Sequence, residues 1–329
     1  DRRRGTRLAS GPAMKLIIQI PCYDEEQALP TALADLPREV AGFDTVEWLV
    51  VDDGCTDGTV AAARAAGVDH VVRHARNLGL AAAFLSGLRE ALHQGADLVV
   101  NLDGDNQYRA SDIPALLEPI MAGRAEFVIG TRPIAKLQHF SPLKKGLQYL
   151  GSWVIRCASG TDIPDAPSGF RAFSRRAAME LNVFSRYSYT LETIIQAGIK
   201  GLPIESVPVG VNPPARESRL AGSTFQYVHR SLRSIVRILM VYRPTRFFAA
   251  LGSVPFVIGI LIGVRFLAAY LGGAGAGKVQ SLILAGVLLT VGSILFVVAL
   301  VADLIAANRK LLEKLDARLW QMEDRLGRK

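Results

Sequence analysis

Cysteine is scarce in this chain: Cys22, Cys55 and Cys157 are the only three among 329 residues, an odd count with no Cys-x-x-Cys spacing. That set builds neither a disulfide framework nor a zinc site, and it suits a reducing compartment. An apolar leader is also lacking. Residues 1–13 are polar and arginine-rich, so they read as a disordered leader or tail rather than a cleavable signal, with Met14 directly ahead of the first strand. The net charge is +8, yet the globular part has no basic surplus: residues 14–205 carry 18 basic against 23 acidic side chains. The excess sits in residues 206–246, with seven basic and one acidic, which argues against nucleic acid as a partner.

What the chain does have is the run Asp103-Gly104-Asp105-Asn106-Gln107, directly after the apolar stretch 96–100. Two carboxylates and an amide oxygen on alternate residues at a strand end can close on a hard divalent cation, Mg2+ or Mn2+, and through it grip a diphosphate. The same run standing alone is also compatible with a solvated turn, so its surroundings decide. Short β-rich runs occur at 15–20, 47–51, 70–73, 96–102 and 126–129, with helical stretches at 60–66 and 80–93 between them. That alternation predicts an α/β fold with a mostly parallel, doubly wound sheet and ligand sites at the strand C-termini. Each strand end carries chemistry: Pro21-Cys22-Tyr23-Asp24-Glu25-Glu26, then Asp52-Asp53-Gly54-Cys55-Thr56-Asp57-Gly58, then Arg76-Asn77-Leu78-Gly79. Asp57 is expected to cap the helix that starts near Thr59.

In their order and placement these four segments resemble family 2 glycosyltransferases of the GT-A fold. The resemblance implies that Pro21, Tyr23, Glu25 and Arg76 belong to the nucleotide-sugar pocket, that Asp53 holds the uracil edge, and that Asp103, Asp105 and Gln107 bear the metal and diphosphate. Asp24 departs from the family, which more often has Asn there, and is expected to support the loop. Further on, Asp165-Ala166-Pro167-Ser168-Gly169-Phe170-Arg171 and Arg216-Glu217-Ser218-Arg219 resemble the polyprenyl-phosphate subgroup that includes dolichyl-phosphate mannose synthases. The resemblance spans Met14 to Ala307.

It implies an inverting transfer of a sugar from a nucleotide diphosphate donor, a UDP-sugar ahead of GDP-mannose, to a membrane polyprenyl phosphate. Forked arginine donors suit a lipid phosphate, so Arg132, Ser168, Arg171, Arg216, Ser218 and Arg219 are the acceptor-phosphate candidates. Asp105, Asp165, Arg132 and Arg171 are the catalytic candidates, Asp165 as the group that positions the acceptor. A phosphomonoester is largely ionised near neutral pH, so orientation matters more than a base. Glu192, with Ser188 or Thr190, reads as a helix start, and Arg175 and Arg176 as solvated residues. Two other readings stay open: a polysaccharide or glycolipid synthase with a hydroxyl acceptor, which would be expected to show a Gln-x-x-Arg-Trp segment that is missing here, and a non-catalytic nucleotide-sugar-binding membrane protein.

Residues 247–271 and 279–302 are apolar stretches that each exceed the about 20 residues needed to cross a bilayer. Arg265 lies close enough to the intervening Gly-rich turn to snorkel. Arg243 and Arg246 before the pair, with Arg309 and Lys310 after it, place both chain ends in the cytoplasm and the catalytic domain on the inner face of the plasma membrane. Residues 141–159 and 224–242 are amphipathic and suit the headgroup plane, with a core-packing helix that turns Trp153 and Ile155 to the sheet as the alternative for the first. The expected organisation is a leader (1–13), a GT-A domain (14–223), a juxtamembrane helix (224–245), two transmembrane helices (246–307) and a C-terminal amphipathic helix (308–329). In the last, Leu312, Leu315, Leu319, Met322 and Leu326 recur at heptad spacing, so an interfacial helix competes with self-association into a homo-oligomer.

Overall fold

The computed structural model describes residues 13–132, 146, 151–153, 155–156, 159–181, 183, 189–212, 233, 236–237, 239–273 and 279–327. The chain divides into two compact units, Asp1–Val228 with Ala317–Lys329, and His229–Asp316.

The first unit is built on β1 (Lys15–Cys22), β2 (Thr45–Asp52), β3 (His70–Arg73), β4 (Leu98–Asn101), β5 (Phe127–Thr131), β6 (Arg171–Ser174) and β7 (Ile204–Pro208). They form one sheet in the order β3-β2-β1-β4-β6-β5-β7. The central strands are apolar nearly throughout because helices cover both faces, and all four residues of β4 are buried. Neighbouring strands pair in parallel except at β6, which runs antiparallel to both β4 and β5. This reversed strand was not among the expected runs, and it starts at Arg171. Four residues headed by an arginine carry no period-two signal, and tertiary pairing makes the strand.

The helices of this unit are α1 (Leu29–Ala34), α2 (Thr59–Ala65), α3 (Leu80–His93), α4 (Ile113–Met121), α5 (Arg175–Glu180) and α6 (Thr190–Lys200). On α3, Ala81, Phe84, Leu88, Ala91 and Leu92 are buried, the stripe a helix turns toward a sheet. Phe84 stacks on Tyr189 with ring centroids 4.0 Å apart, tying α3 to the start of α6. Arg175 is not merely solvated: its guanidinium donates to Ala96 O at 2.5 Å and Leu92 O at 3.2 Å, while Arg176 pairs with Glu180 on the surface.

The second unit holds α7 (Pro244–Leu271), while α8 (Val279–Gly327) begins in it and runs on past its end. Both are long and apolar enough to cross a membrane. Their large side chains face outward, Leu261 being 63% exposed and Leu271 77%, the reverse of a soluble core helix. Small residues line the contact between the two, and their seven-residue spacing puts Gly252 and Gly259 on one face of α7 and Ala285, Gly292 and Ala299 on one face of α8. A Cβ on Gly292 would come within 2.7 Å of the Phe256 Cβ, and one on Gly259 within 3.0 Å of Leu289 Cγ, so the backbones approach closely. Thr245 Oγ1 donates to Asp303 at 2.8 Å at one end of the pair. One feature differs from expectation: α8 continues without a break past the apolar stretch, so the C-terminal segment is the same helix. Residues 133–145, 213–232 and the first 12 lie outside the described residues, as do the amphipathic segments in large part; of the first, Trp153 is exposed and Ile155 buried.

Candidate active site

The Asp103–Gln107 loop leaves the end of β4, where Asn101 is buried. Asn101 Nδ2 donates to Gly169 O at 2.9 Å and to the Tyr189 hydroxyl at 2.8 Å, and its Oδ1 accepts from Gln19 Nε2 at 2.8 Å. The strand end is thus locked to β1 and to the segment before β6. Asn106 takes a left-handed conformation, φ +54°, which Asn tolerates, and its carbonyl accepts from Asn212 Nδ2 at 3.0 Å. Asn212 N–H also donates to Gln107 O at 2.8 Å. Gly169 packs directly on Asp103, and any Cβ at that position would collide with the Asp103 carboxylate. Burial first, and the charge of Asp105 second, push the Asp103 carboxyl up to about 7, against the pull of Arg132 and Arg171.

Arg132, just past β5, sits under this loop. Its Nε and Nη2 donate to the two oxygens of Asp165 at 2.8 and 3.0 Å, its backbone N–H donates to the same carboxylate at 3.1 Å, and Nη1 reaches Gln107 Oε1 at 3.3 Å. Gln107 therefore turns its amide oxygen to Arg132. The paired charges around Arg132 outweigh its burial and hold its guanidinium above the usual range. The Asp165 side chain is 1% exposed and its carboxylate orients Arg132.

Arg171 and Ser168 are also held in the interior. Arg171 is fully buried and spends its donors on Ser168 O at 2.7 Å, Ala166 O at 2.8 Å and Thr193 Oγ1 at 2.5 Å. Burial lowers its guanidinium to about 10. The Ser168 hydroxyl, also buried, donates to Gly130 O at 2.5 Å. These two shape the loop that carries Gly169. Arg216, Ser218 and Arg219 lie outside the described residues. Glu192 sits buried in the first turn of α6, and Ser188 lies outside the described residues.

The loops after β1, β2 and β3 fasten to one another. Glu26 N–H donates to Asp57 Oδ2 at 3.1 Å while Gly58 N–H donates to Glu26 Oε2 at 3.0 Å. Asp57 Oδ1 takes the Thr59 N–H at 3.0 Å, but the N-cap of α2 is Gly58 with no side-chain capping bond, so Asp57 closes the turn ahead of the helix and does not cap it as expected. Asp24, at φ +52°, accepts from Thr56 N–H at 2.8 Å, so it does support the loop. Gly54, at φ +75°, lets the backbone of Arg76 and Asn77 pass too close for any side chain there. Asp24, Cys55 and Asp57 cluster as potential metal ligands. Burial and the Asp52 hydrogen bond push the Cys55 thiol up to about 11, so it stays protonated near neutral pH, and both carboxylates are already hydrogen-bonded; the trio fastens loops.

Pro21 is buried at the end of β1, Tyr23 is 42% exposed, Glu25 is half-buried and Arg76 exposed. Asp53 is buried and accepts from His74, Leu78 and Gly79. Sequence reasoning overlooked His74, Tyr108, Tyr189 and Asn212. Tyr108 directly follows Gln107, and its hydroxyl accepts from Gly169 N–H at 3.0 Å; that position was a usable signal.

The sequence profile described as Glycosyl transferase family 2 matches residues 17–181. An undecaprenyl-phosphate mannosyltransferase of Micrococcus luteus is 30% identical over 221 residues, 64% of this chain and 88% of that protein. A UDP-N-acetylglucosamine–dolichyl-phosphate N-acetylglucosaminyltransferase of Methanococcus voltae is 30% identical over 220 residues, 60% of this chain and 86% of that one. Among solved structures, glucosyl-3-phosphoglycerate synthase of Mycobacterium tuberculosis with Mn2+, UDP-glucose and phosphoglyceric acid superimposes with a TM-score of 0.54 at 21% identity, covering 69% of this chain and 79% of that one. At that identity the likeness establishes the fold, and it agrees with the mostly parallel GT-A sheet.

Proposed function

Since this chain belongs to glycosyl transferase family 2, we propose that it transfers a sugar from a nucleotide diphosphate donor, a UDP-sugar, to a polyprenyl phosphate held in a membrane. The observation that carries the reading is the Asp103–Asp105 pair beside an Arg132–Asp165 fork, in a chain that also holds two exposed apolar helices of membrane-crossing length. Polyprenyl-type phosphates appear in the names of the Micrococcus and Methanococcus relatives, and UDP-glucose in that of the structural neighbour.

A divalent cation fits the donor set. Burial first, and the charge of Asp105 second, lift the Asp103 carboxyl to about 7, a site that positive charge would relieve. Asp103 and Asp105 would hold Mg2+ or Mn2+, with Gln107 adjoining, and when bound the cation neutralises the diphosphate that departs. The remaining work falls to the chain. Arg132, steered by Asp165, adds positive charge at the same end of the sheet, where the departing diphosphate and the incoming lipid phosphate meet. Asn101, Tyr108 and Asn212 fix the loop so that both substrates are met by a preformed surface. The acceptor phosphate brings its own negative charge, and an in-line displacement at the anomeric carbon inverts it, with no side-chain base required.

The membrane helices would hold the catalytic unit at the cytoplasmic face, where their flanking arginines meet anionic headgroups. The test is transfer of labelled sugar into polyprenyl phosphate by the purified full chain with Mn2+ or Mg2+. Asp105→Ala is expected to abolish it, and full activity in that variant would overturn the metal assignment.

A further inference from the structure

The side chain of Asp53 is fixed from three directions. Its Oδ1 accepts from His74 Nδ1 at 2.7 Å and from the Leu78 N–H at 2.9 Å, and its Oδ2 accepts from the Gly79 N–H at 2.9 Å. A carboxylate offers about four acceptor positions over its two oxygens, so Oδ1 is filled and Oδ2 keeps one. Two of the three donors are backbone groups that come with the loop ahead of α3. The third is a side chain, and it decides how many acceptors Asp53 has left.

His74 is itself held. An ionised carboxylate can only accept, so the proton in the His74–Asp53 bond sits on Nδ1. The other ring nitrogen, Nε2, is 2.8 Å from the Ser86 hydroxyl on α3. With the side chain only 9% exposed, the ring is clamped between the end of β2 and that helix. The order Asp53–His74–Ser86 has the look of a nucleophilic relay. Its hydroxyl end lies on the helix, however, and its carboxylate end lies in the nucleotide loops, so the hydroxyl supports the ring and the ring sets the carboxylate.

We infer that His74 is a specificity-determining residue: by filling Oδ1 of Asp53 it leaves one acceptor, on Oδ2, and so favours a nucleobase that presents a single ring N–H. The imide edge of uracil presents one N–H between two carbonyl oxygens. The corresponding edge of guanine presents a ring N–H beside an amino group and asks for two acceptors. With Oδ1 already taken, the guanine amino group goes unpaired, and an unpaired buried donor costs affinity. The inference rests on the proposed role of Asp53 as the base-holding residue, and it adds both the base class and the residue that sets it.

Titration calorimetry of the full chain in detergent, with UDP and with GDP in the presence of Mn2+, tests it. The parent is expected to bind UDP about tenfold or more tighter than GDP. His74→Leu removes the donor but keeps apolar bulk; it is expected to weaken UDP and leave GDP unchanged or tighter, so that the ratio narrows. His74→Asn, whose amide nitrogen stands near the place of Nδ1, is expected to restore most of the ratio, a rescue that loss of packing alone would not give. If His74→Leu fails to fold, Ser86→Ala removes only the support behind the ring and is expected to narrow the ratio part of the way. The same UDP to GDP ratio in the parent and in the folded variants overturns the role of His74 while leaving that of Asp53 standing. Parent protein that prefers GDP overturns the selection itself. Asp53→Asn with both affinities unchanged removes the base-holding role, and the inference with it.

Discussion

Arg132 and Asp165 share a two-bond fork, and its value lies in what each does when the other is lost. Asp165→Asn leaves a nearly buried guanidinium without its counter-charge, which costs about 3 kcal/mol or more of stability and releases Arg132 from its aim at Gln107. The expected outcome is a lower thermal midpoint together with a loss of kcat; a variant as stable and as active as the parent would show that the fork does not position Arg132. Asp52 makes a second case, with a defined pH sign. Burial alone would raise its carboxyl, but the Cys55 N–H at 2.6 Å and Arg73 Nε at 2.9 Å outweigh that and hold it below the usual range. A carboxyl lowered on folding contributes stability that is present above its unfolded pKa and lost as pH falls through the folded one. Asp52→Asn is therefore expected to lower stability by about 2 kcal/mol near pH 7, with the gap to the parent closing below about pH 4 in parallel melts. A gap independent of pH would assign the loss to shape and not to charge.

The segment from Asp165 into β6 decides how the two halves of the sheet meet. Gly169 has a role that only its missing Cβ explains, because the segment lies against the Asp103 carboxylate. Gly169→Ala is expected to displace that carboxylate and weaken Mn2+ binding by about tenfold or more while the far-UV spectrum stays that of the parent; unchanged Mn2+ affinity would remove Gly169 from the site. This element is also where sequence and structure part. The strands β1 to β5 and helix α3 were legible because long apolar runs alternate with an amphipathic 3.6-residue stripe. The position of the Asp103–Gln107 run just beyond β4 was legible because it directly follows an apolar stretch. The reversed β6 was not, since Arg171 reads as a phosphate-binding arginine and only the three internal acceptors around it explain its burial. The partners of Asp165 and Ser168 were hidden for the same reason: residue type and spacing name a polar group but not the group that bonds to it. His74 carried no local pattern at all, because its partners lie 21 and 12 residues away.

Over the whole molecule, an acidic-leaning catalytic unit is joined to a pair of apolar helices through a segment rich in arginine, a charge order that suits an enzyme working on an anionic lipid. The helix pair depends on its small residues. Gly292→Leu is expected to wedge α7 from α8, whose backbones meet there, and to lower the thermal midpoint in detergent, whereas the same change at Gly263, which faces open space, is expected to be neutral. Equal effects at both sites would count against the packing described for the pair. The most direct test of the central claim compares two acceptors that differ only in their head: a short polyprenyl phosphate and the matching dephosphorylated polyprenol. Each is given to the purified full chain in detergent with Mn2+ and a panel of labelled UDP-sugars and GDP-mannose. The account predicts labelled lipid with the phosphate alone, and lipid labelled equally well or only with the free polyprenol would contradict it.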